Sequence, residues 1–331
     1  MTNSGQPDLP ANALFERILD AGKSIRPYVS VTPLYFSGLL TEFAGAEVFL
    51  KAEHIHATGS FKLRGAVNKL RCLDAAAEKA GVVTASSGNH GLAVAKAGAD
   101  LGVSVTVYVA KSASPLKVAA IKALGAKLVQ VDGPPIAAEL LARAQGEKTG
   151  QHYVSPYNDI DVIAGQGSIG LELVEQQPDL DAVYISVGGG GLISGVGSAL
   201  KKLSPRTRVV GVWPQNSPCL LRALEAGEIV DVEESDTISD GTAGAVEPGS
   251  ITLPISHGVI DETITVTEEE IQAAMHRVAA AERWIIEGAA GVAVAGLFKS
   301  AERNRGRRVA AIICGRNIGL AKFLHAIRGL E

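Results

Sequence analysis

Cysteine is scarce. Cys72, Cys219 and Cys314 are scattered and odd in number, which argues against a disulfide framework or a cysteine-ligated zinc site. Aromatic residues make up only 5% of the chain. No apolar run is long enough to cross a bilayer; Val292 to Phe298 is typical. Neither sign of charge dominates: 31 basic and 35 acidic residues leave a net charge of -4, with no basic surplus for nucleic acid or an anionic membrane. Met1 to Pro10 is polar and has no apolar signal core, so it reads as a loose arm rather than a signal peptide. Together with the sparse cysteines this points to a reducing cytoplasm. There is no internal repeat and no low-complexity segment.

What is abundant is small and aliphatic. Hydrophobic residues reach 47%, and 37 of the 331 residues are glycine, a mixture suited to buried parallel strands under closely packed helices. The length has room for two domains or lobes. Strands are expected at 47–52, 82–85, 103–109, 127–131, 182–187, 209–212 and 308–314. Helices are expected at 12–21, 38–43, 61–73, 92–101, 136–148, 162–176, 192–202, 219–226 and 287–297. Ser114-Pro115 supplies an N-cap and first position for a helix to Leu124. Thr267 to Glu270 forms a capping box for another. Between 213 and 260 only the helix at 219–226 can be placed, and Asp231 to Asp236 reads as a solvated acidic face. The alternation defines an α/β fold with two open, mostly parallel sheets flanked by helices. Residues 81–157 read as a small lobe inserted between 1–80 and 158–331.

Five stretches could carry chemistry. Lys62 lies between Phe61 and Leu63, a poor setting for a solvated amine; desolvation would make it a nucleophile, although a helix-start lysine has the same local pattern. Gly188-Gly189-Gly190-Gly191 joins a strand to a helix, where backbone N–H groups can converge on a phosphate or the backbone can simply turn tightly. It fits neither G-x-G-x-x-G nor a P-loop, so a nucleotide is not indicated. Ser86-Ser87-Gly88-Asn89-His90-Gly91 makes a second such junction, suited to a small carboxylate or to ordinary capping. His90 taken singly suits a structural hydrogen bond. Cys314 ends a very apolar strand, as an inert hydrophobe or facing a ring nitrogen. Glu287 stands among apolar residues, either raised in pKa or placed to suit a helix start.

In combination and in order, these stretches resemble the fold-type II pyridoxal-phosphate enzymes with their tryptophan synthase β-like fold. The closer likeness is to the serine/threonine dehydratase (threonine ammonia-lyase) and serine racemase family. The matching pieces are Gly59-Ser60-Phe61-Lys62-Leu63-Arg64-Gly65-Ala66, Ser86 to Gly91, Gly188 to Leu192, Ile286-Glu287-Gly288-Ala289-Ala290-Gly291 and Cys314-Gly315-Arg316-Asn317. The resemblance implies that pyridoxal 5'-phosphate is bound covalently by Lys62, beside Phe61, with Asn89 on its 3'-oxygen and Glu287 nearby. Gly188, Gly189, Gly190, Gly191 and Leu192 would hold its phosphate and Cys314 its ring nitrogen. Ser86, Ser87, Asn89 and His90 would hold the substrate carboxylate, with Gly241 near the amine. The implied reaction is β-elimination of L-threonine or L-serine to a 2-oxo acid and ammonia, with Lys62 as base. A homodimer is implied as well; separately, substrate entry is expected to involve the 81–157 lobe closing over the site.

The departures narrow this. Trp213-Pro214 stands where racemase-like members have Glu-Pro, and Cys219 where a later Asp is expected, so no racemase-type metal site is expected. Ser87, however, matches the racemases' second acid/base and keeps a serine racemase open as the alternative. Dehydration of a bulkier substrate, phenylserine or 3-hydroxyaspartate, is also open. The chain ends at Glu331 without room for a C-terminal regulatory domain, so feedback through one is not expected.

Overall fold

The computed structural model describes residues 11–330. The polar arm expected at the start lies outside them. Two sheets form among the described residues. The larger takes β1 (Leu34–Phe36), β2 (Glu47–Lys51), β7 (Ala182–Ser186), β8 (Arg208–Pro214), β9 (Glu262–Val266) and β10 (Arg308–Ile312), in the order β1-β2-β10-β7-β8-β9. Only the β1–β2 pair is antiparallel. The smaller is wholly parallel, in the order β5-β4-β3-β6, from β3 (Val82–Ala85), β4 (Val105–Ala110), β5 (Lys127–Val131) and β6 (His152–Tyr153). The central strands are buried along their whole length, as β4 and β7 are, which is why they read as continuous apolar runs.

One face of the small sheet has its own core, Val83, Tyr108, Ala138 and Ala142, but the other face shares its core with the rest of the chain. Leu63, Ala66, Val67 and Leu70 of helix Lys62–Arg71 pack into the same cluster as Val82, Val94, Val105 and Val107, joined by Ile25 and Val29. The Lys62 helix therefore packs on the small-sheet core with its apolar face. The opposite side of that helix enters a fully buried ionic cluster. Arg64 donates to Glu53 Oε1 and Oε2 at 2.8 and 2.7 Å, and to Glu172 Oε1 and Oε2 at 2.7 and 2.8 Å. Lys51 Nζ reaches Glu172 at 2.6 Å. Burial pushes Glu53 upward, but Arg64 and His56 outweigh it and hold the carboxylate well below its ordinary range.

Several elements depart from expectation. Residues 213–260 also contain helix Thr252–Val259, and β9 follows at the sheet edge. Helices Ala75–Ala80 and Leu320–Ala326 also appear. Ser114 precedes helix Pro115–Ala123 as expected, but its hydroxyl makes no capping bond. β10 stops at Ile312, so Cys314 lies two residues beyond the strand. The capping box on helix Glu268–Glu282 forms in full.

Candidate active site

Lys62 is placed by a stitched turn. Gly59 takes φ +75°, open to it without a Cβ. Ser60 then pairs with Gly315 in an isolated antiparallel bridge. Phe61 N donates to Cys314 O at 3.0 Å, and Arg316 N to Gly59 O at 2.9 Å. The chain enters the helix at Lys62, whose Nζ donates to the Pro156 carbonyl at 2.7 Å and lies 5.1 Å from the Phe61 ring centroid. Burial lowers this amine to about 8, against the opposing pull of Cys314 and Glu287.

The glycine run opens helix Gly191–Leu203, with Gly190 at φ +89°. A Cβ on Gly189 would stand 2.4 Å from the Tyr157 ring, and one on Gly191 2.9 Å from Tyr157 Cα. A Cβ on Gly188 would stand 2.9 Å from Thr242 Cα. The loop is thus pressed flat between Tyr157 and the 242 segment. Thr252 Oγ1 donates to Gly189 O at 2.7 Å from the far side. The N–H groups of Gly188 to Leu192 find no acceptor among the described residues. Five donors at a helix N-terminus form an anion cradle.

The second junction opens helix Asn89–Leu101. Ser86 Oγ accepts from Gly88 N at 3.1 Å and shapes the turn. Ser87 is half-buried beside it. The His90 side chain turns away: Nε2 donates to Val154 O at 2.9 Å, and burial lowers the ring to about 3, so it is neutral. Its other nitrogen is a lone pair without a partner. An acceptor cannot hold a carboxylate, so the contribution expected of His90 falls to its backbone N–H in the first helical turn.

Asn89, Glu287 and Asn317 meet although they are far apart in sequence. Asn89 Nδ2 donates to Glu287 Oε1 at 2.7 Å, and Asn317 Nδ2 donates to Asn89 Oδ1 at 2.6 Å. Glu287 fills the space beside Gly315, where a Cβ would stand 2.3 Å from Oε1. Burial raises its carboxyl to about 7. Gly241 faces the same carboxyl, with Oε1 3.6 Å from where its Cβ would be. Cys314 is buried next to Ser186, whose hydroxyl lies 3.6 Å from Sγ, and burial pushes the thiol pKa up.

The structure therefore gathers Phe61, Lys62, Asn89, Gly241, Glu287 and Cys314. Three residues escaped the sequence reading. Asn317 closes the Cys314-Gly315-Arg316-Asn317 motif but carried no local signal. Ser186 ends a buried strand like many serines. Tyr157 packs on the glycines and accepts from Glu247 N at 2.9 Å, a role no local pattern announces.

The parts fit one kind of occupant. An amine lowered to about 8 can condense with a carbonyl, the flat glycine cradle suits a phosphate, and a buried protonated thiol suits an uncharged ring atom. Fold and site thus define an α/β enzyme built to keep a phosphorylated carbonyl cofactor on a lysine. Comparison with known proteins agrees. The sequence model for "Pyridoxal-phosphate dependent enzyme" matches residues 25–315, and the chain belongs to that family, in its fold-type II branch. It is 40% identical over 305 residues to an L-threonine ammonia-lyase of Thermotoga maritima, covering 92% of this chain and 75% of that one. An L-threo-3-hydroxyaspartate ammonia-lyase of Saccharomyces cerevisiae is 33% identical over 314 residues, covering 95% and 96%. The solved structure of processed threonine deaminase isoform 2 from Solanum lycopersicum superposes with TM-score 0.91 at 31% identity, covering 100% and 96%.

Proposed function

We propose that the protein is an ammonia-lyase that eliminates water from a β-hydroxy amino acid, L-threonine or L-serine, and releases a 2-oxo acid and ammonia. The observation that carries this is Lys62, desolvated, within reach of Cys314 and Glu287 and held at the carbonyl of Pro156, whose neighbour Tyr157 packs on the glycine loop. When bound, pyridoxal phosphate supplies an electron sink for the α-carbon. The protein supplies the rest. Lys62 takes the α-proton, and an amine lowered to about 8 does so near neutrality. The first-turn N–H groups at Asn89 and His90, with the hydroxyls of Ser86 and Ser87, bind the substrate carboxylate. The α-proton and the β-hydroxyl leave as water, and the resulting enamine takes up water to give 2-oxo acid and ammonia. The protonated Cys314 thiol places no charge beside the ring, which favours elimination over transamination. The Thermotoga and tomato relatives support threonine as substrate; the yeast relative keeps 3-hydroxyaspartate as the next to test.

Lys62→Ala is expected to lose both the visible absorption band of lysine-bound cofactor and 2-oxo acid production; retention of either overturns the reading. A panel of threonine, serine, phenylserine and 3-hydroxyaspartate ranks the substrates. A second reading, amino acid racemisation, is favoured by Ser87, whose hydroxyl has no hydrogen bond to any described residue. Chiral analysis of residual serine decides it, since racemisation requires the opposite enantiomer to appear.

We further infer a cytoplasmic homodimer with a small lobe at 81–157 that closes on substrate. Tyr35, Phe36, Leu39 and Phe43 leave an apolar face exposed around the edge strand β1, which supports a second copy there. The Arg143–Glu247 ion pair, 2.7 Å, joins the small lobe to the segment over the glycine loop and supports closure.

A further inference from the structure

Four polar groups beside Lys62 form a chain whose polarity is fixed by main-chain atoms at both ends. The Thr58 carbonyl can only accept, so the amide nitrogen of Asn317 must face it, at 2.8 Å. That nitrogen is also the one 2.6 Å from Asn89, so Asn89 must present its oxygen there. The nitrogen of Asn89 is thereby turned to Glu287, at 2.7 Å. At the other end the Asn317 N–H donates to Glu287 Oε2 at 3.0 Å. Asn89 is left with one amide hydrogen beyond the one given to Glu287. Asn317 packs into the space left by the missing side chain of Gly59, its Oδ1 2.5 Å from where a Cβ there would stand.

We propose that Asn317 is a positioning residue for the cofactor. It locks the Asn89 amide so that an N–H, and not a carbonyl oxygen, meets the phenolic oxygen of bound pyridoxal phosphate, whichever protonation state Glu287 adopts. The proposal rests on the cofactor reading of the site. The lock is needed because Glu287 titrates near neutrality. As a carboxylate it accepts from Asn89; once protonated it can also donate, and a flipped Asn89 would satisfy it equally well. The other charged or titratable groups acting on Glu287 are Asp240 and Lys117, with Lys62 and Cys314 coupled to it from the remaining sides. None of them contacts the Asn89 amide oxygen, so among the described residues Asn317 alone holds the orientation in both protonation states of Glu287.

The test uses the full chain with Asn317→Asp, which keeps the volume but exchanges donors for acceptors, and Asn317→Ala. Pyridoxal phosphate is titrated into apoprotein across the neutral pH range, and the visible band is followed. The wild type is expected to show an affinity and band position with no transition near 7, where Glu287 titrates, apart from the dependence set by Lys62 near 8. In both variants the dissociation constant should rise about tenfold, the loss of one charge-assisted hydrogen bond. It should also become pH-dependent with a midpoint near 7, and Glu287→Gln should abolish that dependence. In an Asn89→Ala background, Asn317→Asp should change neither affinity nor band. Unchanged affinity and band in the single variants overturn the proposal, as do effects that simply add to those of Asn89→Ala. A wild-type protein with no Lys62-dependent band would instead overturn the cofactor reading, and this inference with it.

Discussion

Lys62 owes its reactivity to desolvation. Among the described residues no cation is set against it to push the amine down; burial does so, while Cys314 and Glu287 pull the other way. The neutral amine is the nucleophile, so capture of pyridoxal phosphate by apoprotein should quicken as pH rises and level off above about 8. Stopped-flow absorbance checks this; a rate still climbing at the pH of ordinary lysine titration would show a solvated amine. Lys62 was legible because its apolar neighbours Phe61 and Leu63 adjoin it in sequence, and the Phe61 ring does lie beside the amine. Glu287 was half legible: its apolar neighbours suggested a raised pKa, and the carboxyl does stand at about 7. Asn317 was not legible, because Thr58, Asn89 and Glu287 reach it only after folding.

At the scale of the element, helix Lys62–Arg71 is held from two sides. Its apolar face completes the small-sheet core, and Arg64 anchors it among Glu53, Glu172 and Lys51. Arg64→Met leaves two buried carboxylates without their main cation and should cost about 3–5 kcal/mol in urea unfolding. A change below about 1 kcal/mol, the worth of an exposed pair, would show the cluster to be hydrated. Because Glu53 is depressed, its contribution is complete above the ordinary carboxylate range and is lost only as pH falls through its lower folded value. The cluster was invisible in sequence: Arg64 and Glu172 lie 108 positions apart, and each alone reads as a surface charge. Helix Thr252–Val259 was missed for a related reason. It has no side-chain cap, and tertiary bonds hold it, Thr252 to Gly189 and Ser256 to Ser194. By contrast the buried central strands and the glycine loop were legible, since a buried strand and a side-chain-free turn both write themselves into consecutive residues, whereas the half-exposed edge strands β6 and β9 were not.

For the molecule as a whole, scattering in solution should report twice the chain mass, falling to one with Phe43→Glu on the exposed face, and a smaller radius when a substrate analogue is bound. A mass of one chain in the wild type would remove the dimer, and an unchanged radius would remove the closure. The helix that begins at Lys62 also decides how such a motion is felt at the chemistry. It is bolted to the larger body by ions and to the smaller by side chains, so it stands where a door has its hinge pin. A pin turns but does not travel. Under the closure proposed above, the lobe would swing while the amine stays fixed to the larger body, and each turnover would begin from the same geometry.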